Sequence, residues 1–457
     1  MTPKIFSAHL REMMERFDPR YHSPIFAKNL ERVKQKGWRT IADCCEISNE
    51  TWDREKLFSE QFPYIEIAAI NTDDGVISSV DNLPTAEAPS RAQMVVRSGD
   101  ILVSTTRPTR NAIARVPDEI GRAIASTGFA VIRDVNEDVV SADYFFHALR
   151  FSFCTMQFDQ RSSGGNYPAI TKDDLRKTII PIPLPEVQRQ IVAELDAAYA
   201  AKRKADEKAA QLLASIDDVV LSELGIPKLP PQDTSLRKRM FTVSAAEVFE
   251  NRMDAVAYQN LRRQFLKNVA HSSYSSIPLG ALVDVNRQQT DALNGRQYVG
   301  LENIDGTIGD FLPTQDKESL SSAVLFKEGE ILFPKLRPYL NKVWLATFDG
   351  AASTEFSPLI PTGVSAEYLI VYLRLTQVAR VMTLLMTGNT LPRVQLEDVL
   401  SLPVPIPSRP VQDRIASTAS SIRAEARKLK ADATAALDAA KRKIENVVME
   451  TSKPYSL

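Results

Sequence analysis

Two junctions with one pattern decide how this chain folds: Ile180-Pro181-Ile182-Pro183 followed by Gln188, and Val404-Pro405-Ile406-Pro407 followed by Gln412. Prolines in this arrangement cannot be helical and hold the chain extended. Each junction then opens into a long run of helix-forming residues. Because the two glutamines lie nearly half of the 457-residue chain apart, the repeated unit is a whole domain with its own long helix rather than a short solenoid repeat.

Shorter matches precede both junctions in the same order along the chain. They are Arg16-Phe17-Asp18 with Arg252-Met253-Asp254, Gly99-Asp100-Ile101-Leu102 with Gly329-Glu330-Ile331-Leu332, Arg107-Pro108 with Arg337-Pro338, and Ser126-Thr127-Gly128-Phe129 with Ser353-Thr354-Glu355-Phe356. Almost nothing matches between these anchors. The pattern indicates two divergent modules on one scaffold, which would do the same job on different targets.

The runs after the junctions predict helices that keep one apolar face over many turns, because apolar and small residues recur in steps of three and four. In the first run these residues are Val187, Ile191, Leu195, Ala198, Ala201, Ala205, Ala209, Leu212, Ile216 and Val219. In the second run they are Val411, Ile415, Ala419, Ile422, Ala426, Leu429, Ala433, Ala436, Ala440, Ile444 and Val447.

The many alanines on these faces permit close approach, so we expect the two helices to pair as an antiparallel coiled coil. The alternative is that each helix packs on its own domain or on a partner protein. The large side chains expected to make the pairing contacts are Ile191, Leu195, Leu212, Ile216, Ile415, Ile422, Leu429 and Ile444.

Composition limits the classes of function. The chain is 44% hydrophobic and 25% charged, as in ordinary globular proteins, and it has no apolar run long enough to cross a membrane. We therefore expect a cytoplasmic protein without membrane contact. Cys44, Cys45 and Cys154 form neither a disulfide framework nor a zinc spacing, so we expect no metal and no cofactor. The net charge of −1 counts against a nucleic-acid binder only if the charges are evenly spread.

Together, the duplication, the proline-glutamine junctions and the long helices closely resemble the specificity subunits of type I restriction-modification systems, over essentially the whole chain. The second junction departs from the first, since Arg409-Pro410 stands where the first has Leu184-Pro185-Glu186-Val187. This departure puts the capping of the second helix in doubt.

The resemblance implies that each module is a target recognition domain that reads one half of a bipartite double-stranded DNA sequence. It also implies that the helices form a spacer on which two methyltransferase subunits dock, and that motor-nuclease restriction subunits complete the assembly. In such a complex this chain does no chemistry itself.

The predicted fold class is α+β, with two pseudo-repeated α/β target recognition domains, each followed by a long helix. We expect the first recognition domain over residues 1–180, its helix over 181–224, a linker over 225–240, the second recognition domain over 241–403, its helix over 404–450 and a tail over 451–457.

Each module contains two stretches with residue types that commonly contact DNA. One follows an apolar strand and combines arginine or lysine with hydroxyl and amide groups, which hold phosphates and read base edges. The other is rich in glycine, which permits close approach of a sugar-phosphate chain. The predicted DNA-binding residues are Thr105, Arg107, Arg110, Asn111, Ser163, Gly164 and Asn166 in the first module, and Lys335, Arg337, Tyr339, Asn341, Gly388, Asn389 and Arg393 in the second.

The competing interpretations of these stretches are a solvated basic loop and an ordinary glycine-rich connection. Repetition of the arginine stretch at matched positions favours DNA contact.

An enzyme needs a site, and the sequence contains no Asn-Pro-Pro-Tyr or Asp-Pro-Pro-Tyr motif, no phosphate-binding G-x4-G-K-[ST] loop and no histidine-based nucleophile set. We therefore predict a non-catalytic subunit. Two alternatives stay open: a DNA reader attached to another methyltransferase-based phage-defence system or a fused restriction-methylation enzyme, and a coiled-coil scaffold whose heads bind protein.

Overall fold

The structure is a computed structural model. It describes residues 18–35, 37–54, 56–231, 240, 242–243, 259–313, 322–388 and 390–450. The predicted module starts Arg16-Phe17 and Arg252-Met253-Asp254, the site residue Asn389, and residues 232–239 of the linker lie outside these ranges. The chain divides into two compact units, Met1–Arg203 with Ala433–Leu457, and Lys204–Asp432. Each unit therefore combines one module with parts of both long helices.

The first module mixes strands and helices. Its described strands are β1 Trp38–Thr40, β2 Glu46–Ser48, β3 Gln61–Ile65, β4 Asp81–Pro84, β5 Ala92–Arg97, β6 Ile101–Ser104, β7 Ile113–Arg115, β8 Arg122–Ser126, β9 Phe129–Arg133 and β10 Ile179–Pro181. Its described helices are α1 Pro24–Lys34, α2 Ile41–Cys44, α3 Ala142–Arg150, α4 Ser152–Arg161 and α5 Lys172–Arg176, and the long helix α6 follows at Pro185–Leu224.

The second module has the same kinds of element. Its described strands are β11 Ser276–Pro278, β12 Val283–Val285, β13 Gln289–Thr290, β14 Gln297–Val299, β15 Ala323–Phe326, β16 Ile331–Pro334, β17 Trp344–Leu345, β18 Gly350–Ser353, β19 Phe356–Pro361 and β20 Pro403–Pro405. Its described helices are α7 Asn260–Ala270, α8 Ala366–Leu373, α9 Thr376–Leu384 and α10 Leu396–Leu400, and the long helix α11 follows at Arg409–Glu450.

The sheets recur from one module to the next. The first module has the strand orders β2-β9-β6-β7 and β4-β3-β8-β5, and the second has β12-β19-β16-β17 and β13-β15-β18-β14. In each module one pair is parallel, β3 with β8 and β14 with β18, and the other pairs of the two sheets are antiparallel. The repeat seen in the sequence is therefore also a repeat of topology, except for one edge strand: β4 lies beside β3 in the first module, whereas β13 lies beside β15 in the second.

Each proline junction is tied to its own module by a short strand pair. Strand β10 pairs with β1, and β20 pairs with β11. A buried tyrosine completes the tie, because the Tyr144 hydroxyl donates to the Pro181 carbonyl at 2.9 Å and the Tyr368 hydroxyl donates to the Pro405 carbonyl at 2.7 Å.

The hydrogen bonds of the junction glutamines explain why these residues recur. Gln188 accepts from the Ser141 backbone N–H at 2.9 Å and donates to the Pro183 carbonyl at 2.8 Å. Gln412 makes the equivalent bonds to the Ser365 N–H and the Pro407 carbonyl, at 3.0 and 2.9 Å. Each glutamine amide thus joins the residue that precedes a helix of its module to the proline at the end of the junction.

The long helices α6 and α11 contain 40 and 42 residues, which corresponds to roughly 60 Å at 1.5 Å per residue. Pro410 lies in the first turn of α11, where a missing N–H removes no helical hydrogen bond, so the departure at the second junction does not disturb the helix start. Gly225, with φ of 64°, ends α6, and Ile226 and Leu229 of the linker are buried in the core of the second unit.

Within each unit the two long helices run in opposite directions. In the first unit Lys443 pairs with Glu194 at 2.5 Å, and Lys441 lies over the ring of Tyr199. In the second unit Arg414, near the start of α11, pairs with Glu223, near the end of α6.

The residues predicted to pair the two helices also contribute to the hydrophobic cores of the two units. Ile191, Leu195 and Ile444 are buried in the core of the first unit, and Ile216 and Ile415 in that of the second. Ile422 packs against the latter core while partly buried, and Leu212 and Leu429 are half-buried. The helices thus pack on their modules as well as on each other.

The predicted apolar face was wrong at four positions, where Ala201, Val219, Ala436 and Val447 are exposed. At each of these positions the next residue is less exposed: Lys202 is half-buried, and Val220, Leu437 and Val448 are buried. An α-helix has 3.6 residues per turn, so a pattern built from steps of three and four residues rotates slowly around the helix. After several turns the buried position is therefore the neighbouring residue.

Candidate nucleic-acid interface

The loops after β6 and β16 share an unusual backbone path. We call residues 105–111 and 335–341 the arginine loops. Arg107 and Arg337 have left-handed φ angles of 48° and 50°, and a short 3₁₀ turn follows each of them. Such angles are uncommon for large side chains and cost energy. Their occurrence in both modules marks the arginine loops as a candidate site.

An asparagine with left-handed backbone angles ends each arginine loop. The Asn111 amide donates to the Arg150 carbonyl at 3.0 Å, and the Asn341 amide donates to the Arg374 carbonyl at 2.8 Å. Both side chains are therefore bound to the scaffold by their donor groups. Contact of Asn111 and Asn341 with DNA stays a prediction, and the structure gives both residues a positioning role.

Two buried arginines, absent from the sequence prediction, support these loops from behind. The Arg150 guanidinium donates to the carbonyls of Ile113, Thr72 and Asp73 at 2.7 to 3.1 Å. Arg374 donates to the carbonyls of Asn341, Val343, Gly306 and Thr307 at 2.7 to 3.2 Å. Burial lowers the pKa of Arg374 to about 10, which leaves it charged at neutral pH.

Gly75 and Gly309 make room for these guanidinium groups. Both have positive φ, and a Cβ at Gly75 would lie 2.3 Å from Arg150 Nη1, while one at Gly309 would lie 2.8 Å from Arg374 Cζ. The sequence signal that could have revealed this arrangement is the recurrence of one arginine and one glycine at matched positions.

The structure brings the two predicted stretches of each module side by side. We call residues 162–169 and 386–393 the glycine loops. Thr106 bridges to Ala169, and Leu336 bridges to Arg393, so each arginine loop lies against the glycine loop of its own module. Gly164 and Gly388 have φ of 107° and 95°, which a side chain rarely adopts.

In the first module Arg107 joins the two loops. Its guanidinium donates to the Asn166 carbonyl at 3.0 Å and lies 4.3 Å from the centre of the Tyr167 ring. Tyr167 is 69% exposed, and Arg110 is exposed as well. Among the described residues neither Arg107 nor Arg110 pairs with a carboxylate. Their charges are therefore free for a phosphate or a base edge.

The second module presents a different surface. Arg337 is exposed and has no carboxylate partner within the described part of the chain, and Tyr339 is 48% exposed. Arg393, in contrast, forms a two-point ion pair with Glu355 at 2.5 and 2.8 Å, which lowers the pKa of that carboxyl group. The charge of Arg393 is thus partly neutralised before any ligand arrives.

Other predicted residues make hydrogen bonds within their own module. Thr105 is half-buried and its hydroxyl donates to the Gly128 carbonyl at 3.0 Å, and Lys335 is half-buried between backbone bonds to Glu355 and Val394. Ser163 is exposed and bridges to Ala169 across the glycine loop.

The prediction omitted Leu391, which is 48% exposed at the position that matches Tyr167. An apolar side chain inside a glycine-rich polar loop was the available signal. Exposed apolar tips beside arginine are suited to contacts with thymine methyl groups or stacked bases.

Metal-ligand clusters and membrane-spanning helices are absent from the described residues. These residues contain no cluster of side chains that could hold a metal ion, and none of their helices is both long and apolar enough to span a membrane. Burial raises the pKa of Cys44 and Cys45 to about 12, so both are thiols at neutral pH rather than reactive thiolates.

Comparison with known proteins gives a family-model match over part of the chain. Residues 35–212 match the family model of the Type I restriction modification DNA specificity domain. This range includes the arginine and glycine loops of the first module.

Two curated relatives match parts of the chain. It is 20% identical over 293 residues to the Type I restriction enzyme EcoDI specificity subunit of Escherichia coli, covering 61% of this chain and 62% of the relative. It is 30% identical over 139 residues to the HindI specificity subunit of Haemophilus influenzae, covering 28% and 29%. The chain thus spans less than two thirds of the length of either relative.

Among solved structures, the HsdS subunit from Thermoanaerobacter tengcongensis is 23% identical and aligns over 91% of this chain and 97% of its own, with a TM-score of 0.38. The family model and the curated relatives confirm the resemblance to type I specificity subunits that the sequence predicted.

Proposed function

We propose that this chain is the DNA sequence-specificity subunit of a type I restriction-modification complex and that each module reads one half of a split target. The match to a DNA specificity domain covers most of the first module and most of α6. The second module shares the order of one complete sheet and of three strands of the other, and it has the same left-handed loop, which supports the same task.

The observation that carries the proposal is the repeated arginine loop. In both modules it follows a buried strand, holds a strained backbone and presents an arginine without a carboxylate partner among the described residues. Arginine binds phosphate and guanine edges through two parallel hydrogen bonds, which gives both affinity and sequence discrimination. Because the surrounding side chains differ between modules, the two half-sites would differ too.

The long helices supply the spacer in this proposal. Their opposite directions within each unit support antiparallel pairing of the two helices. A rigid spacer of this kind would fix the gap between half-sites, as dimer geometry does in other DNA readers. Two methyltransferase subunits would dock on it, and motor-nuclease subunits would join them, in the cytoplasm.

The chain itself would be non-catalytic. Methyl transfer to an adenine in each half-site, and cleavage when both are unmodified, would be performed by its partners. The names of the curated relatives, specificity subunits of type I restriction enzymes, support this division of labour.

A selection experiment tests the proposal. The purified complex of this chain with the methyltransferase subunit is incubated with duplex DNA of random sequence, and the bound fraction is sequenced. We expect two short enriched motifs at a fixed gap, with binding that weakens steeply as salt rises. Recovery of all sequences equally would contradict DNA reading and favour a scaffold whose heads bind protein.

A further inference from the structure

The second unit contains a cavity of about 570 Å³ between the loop at residues 308–311, strand β17, helix α8 and the first part of α11. Its walls include the apolar side chains of Phe311, Trp344 and Ile370. Three guanidinium groups also line it, those of Arg374, Arg423 and Arg427.

Two of these three arginines already have partners. Arg374 donates to the four backbone carbonyls described above. Arg427 forms a two-point ion pair with Asp310 at 2.6 and 2.7 Å.

Arg423 is different, because it forms no hydrogen bond or ion pair with any residue that the structure describes. It is half-buried, and burial lowers its pKa. A half-buried guanidinium that has no acceptor within the described protein is normally hydrogen-bonded to an anion or to water.

The matched place in the first module shows what the second has changed. Tyr199 stands where the second module has Arg423, and His147 stands where it has Val371. The rings of Tyr199 and His147 stack with centroids 5.9 Å apart and planes inclined by 10°. The corresponding cavity has only about 250 Å³. The second module has thus replaced two stacked rings by an open space and a positive charge.

Carboxylates on the cavity wall do not neutralise Arg423. Asp310 is engaged by Arg427, and Glu367 accepts from the Ser365 hydroxyl at 2.6 Å. With three guanidinium groups and two carboxylates, the lining of the cavity carries a net positive charge.

We propose that this cavity is a binding site for a small oxyanion, a phosphate or carboxylate group, held by Arg423. The planar guanidinium fork matches either group with two parallel hydrogen bonds. The aromatic and aliphatic walls accommodate the apolar part of an organic anion. The proposal is independent of the DNA-reading function, since it uses none of the arginine-loop or glycine-loop side chains.

The matched variant for testing it is Arg423→Tyr, which installs the residue of the first module. Inorganic phosphate and acetate serve as probes, each titrated into the full-length protein by calorimetry and by thermal unfolding, with chloride at equal ionic strength as the reference. Phosphate also stabilises proteins by exclusion from their surface, so only the difference between wild type and variant counts.

We expect saturable binding of phosphate or acetate by the wild type and at least a tenfold weaker affinity in Arg423→Tyr. Arg423→Gln provides the same test if the tyrosine variant fails to fold, and Arg423→Lys should bind with intermediate affinity. Equal responses of wild type and variants, or no saturable binding by the wild type, would overturn the proposal. If instead the variant loses only affinity for DNA, the anion is a backbone phosphate and the site for a free oxyanion is refuted.

Discussion

Under the proposed function, Arg337 is the residue on which recognition of the second half-site would depend most directly, because it is exposed and has no carboxylate partner among the described residues. Replacing it with alanine should weaken binding by about 1–3 kcal/mol and reduce the salt dependence by about one phosphate contact. Fluorescence anisotropy with duplexes changed in one half-site at a time measures both effects.

The control for this prediction is Lys327→Ala. Lys327 is an exposed cation just before β16, whereas Arg337 follows that strand, so the two charges belong to opposite ends of one element. The lysine variant should bind DNA like the wild type. Equal losses in both variants would mean that only the overall charge matters.

Arg374 should be as important for stability as Arg337 is for binding. Arg374→Met leaves four backbone carbonyls without their donor, which should cost about 3 kcal/mol of unfolding free energy. Urea denaturation of the full-length protein measures it. Arg380→Met, which removes a single bond to the Pro230 carbonyl, should cost less than about 1 kcal/mol; a similar loss in both variants would argue against this role.

His147 should make the first unit sensitive to acid. Burial lowers its pKa to about 4, and the carboxylate of Asp196 opposes that shift only in part. The unfolded chain takes up the proton at its ordinary pKa near 6.5, so the contribution of the neutral ring is complete above that pH and declines as pH falls toward 4. His147→Leu should flatten the pH dependence of unfolding in this window, whereas a change at the exposed His271 should leave it intact.

At the residue scale, the sequence identified the side chains that recur in both modules but not the hydrogen bonds that hold them in place. Arg107 and Arg337 were identified because they repeat after matched strands. The engagement of Asn111 with Arg150 could not be predicted, since its acceptor is a backbone carbonyl 39 residues away. Backbone acceptors leave no signature in a single sequence.

At the scale of elements, the face of α6 offers a matched pair of variants. Val220 is 1% exposed and Val219 is 40% exposed. Val220→Ala should destabilise the second unit by about 2 kcal/mol because it leaves a cavity, whereas Val219→Ala should change stability by less than about 0.5 kcal/mol. Equal effects, measured by thermal unfolding, would show that the helix presents another face.

The long helices were predicted from periodicity and the proline junctions, and the structure has helices at Pro185–Leu224 and Arg409–Glu450. The register of their apolar face was predictable near each junction and failed further along the helices, at Ala201, Val219, Ala436 and Val447. Strand order was beyond the sequence altogether. The pairs β3 with β8 and β14 with β18 join residues far apart in the chain, and short strands of this kind carry no pairing signal of their own.

At the scale of the whole molecule, duplication explains both the similarity and the difference of the two halves. Both modules share most of their sheet topology and a left-handed arginine loop, so they have a common scaffold. Arg393 paired with Glu355, and Arg107 stacked on Tyr167, make them unlike at the surface. Under the proposed function, a shared scaffold with different surface side chains would let each module read a different half-site.

The most direct test of this account is to co-express the chain with the methyltransferase subunit of its own system in a host without DNA methylation, and to map modified adenines by direct sequencing. The account predicts one split motif, with two defined half-sites and a constant unspecified gap, and loss of specificity in one half only when Arg337 is replaced. A single continuous motif, or no new methylation despite a stable complex, would contradict it.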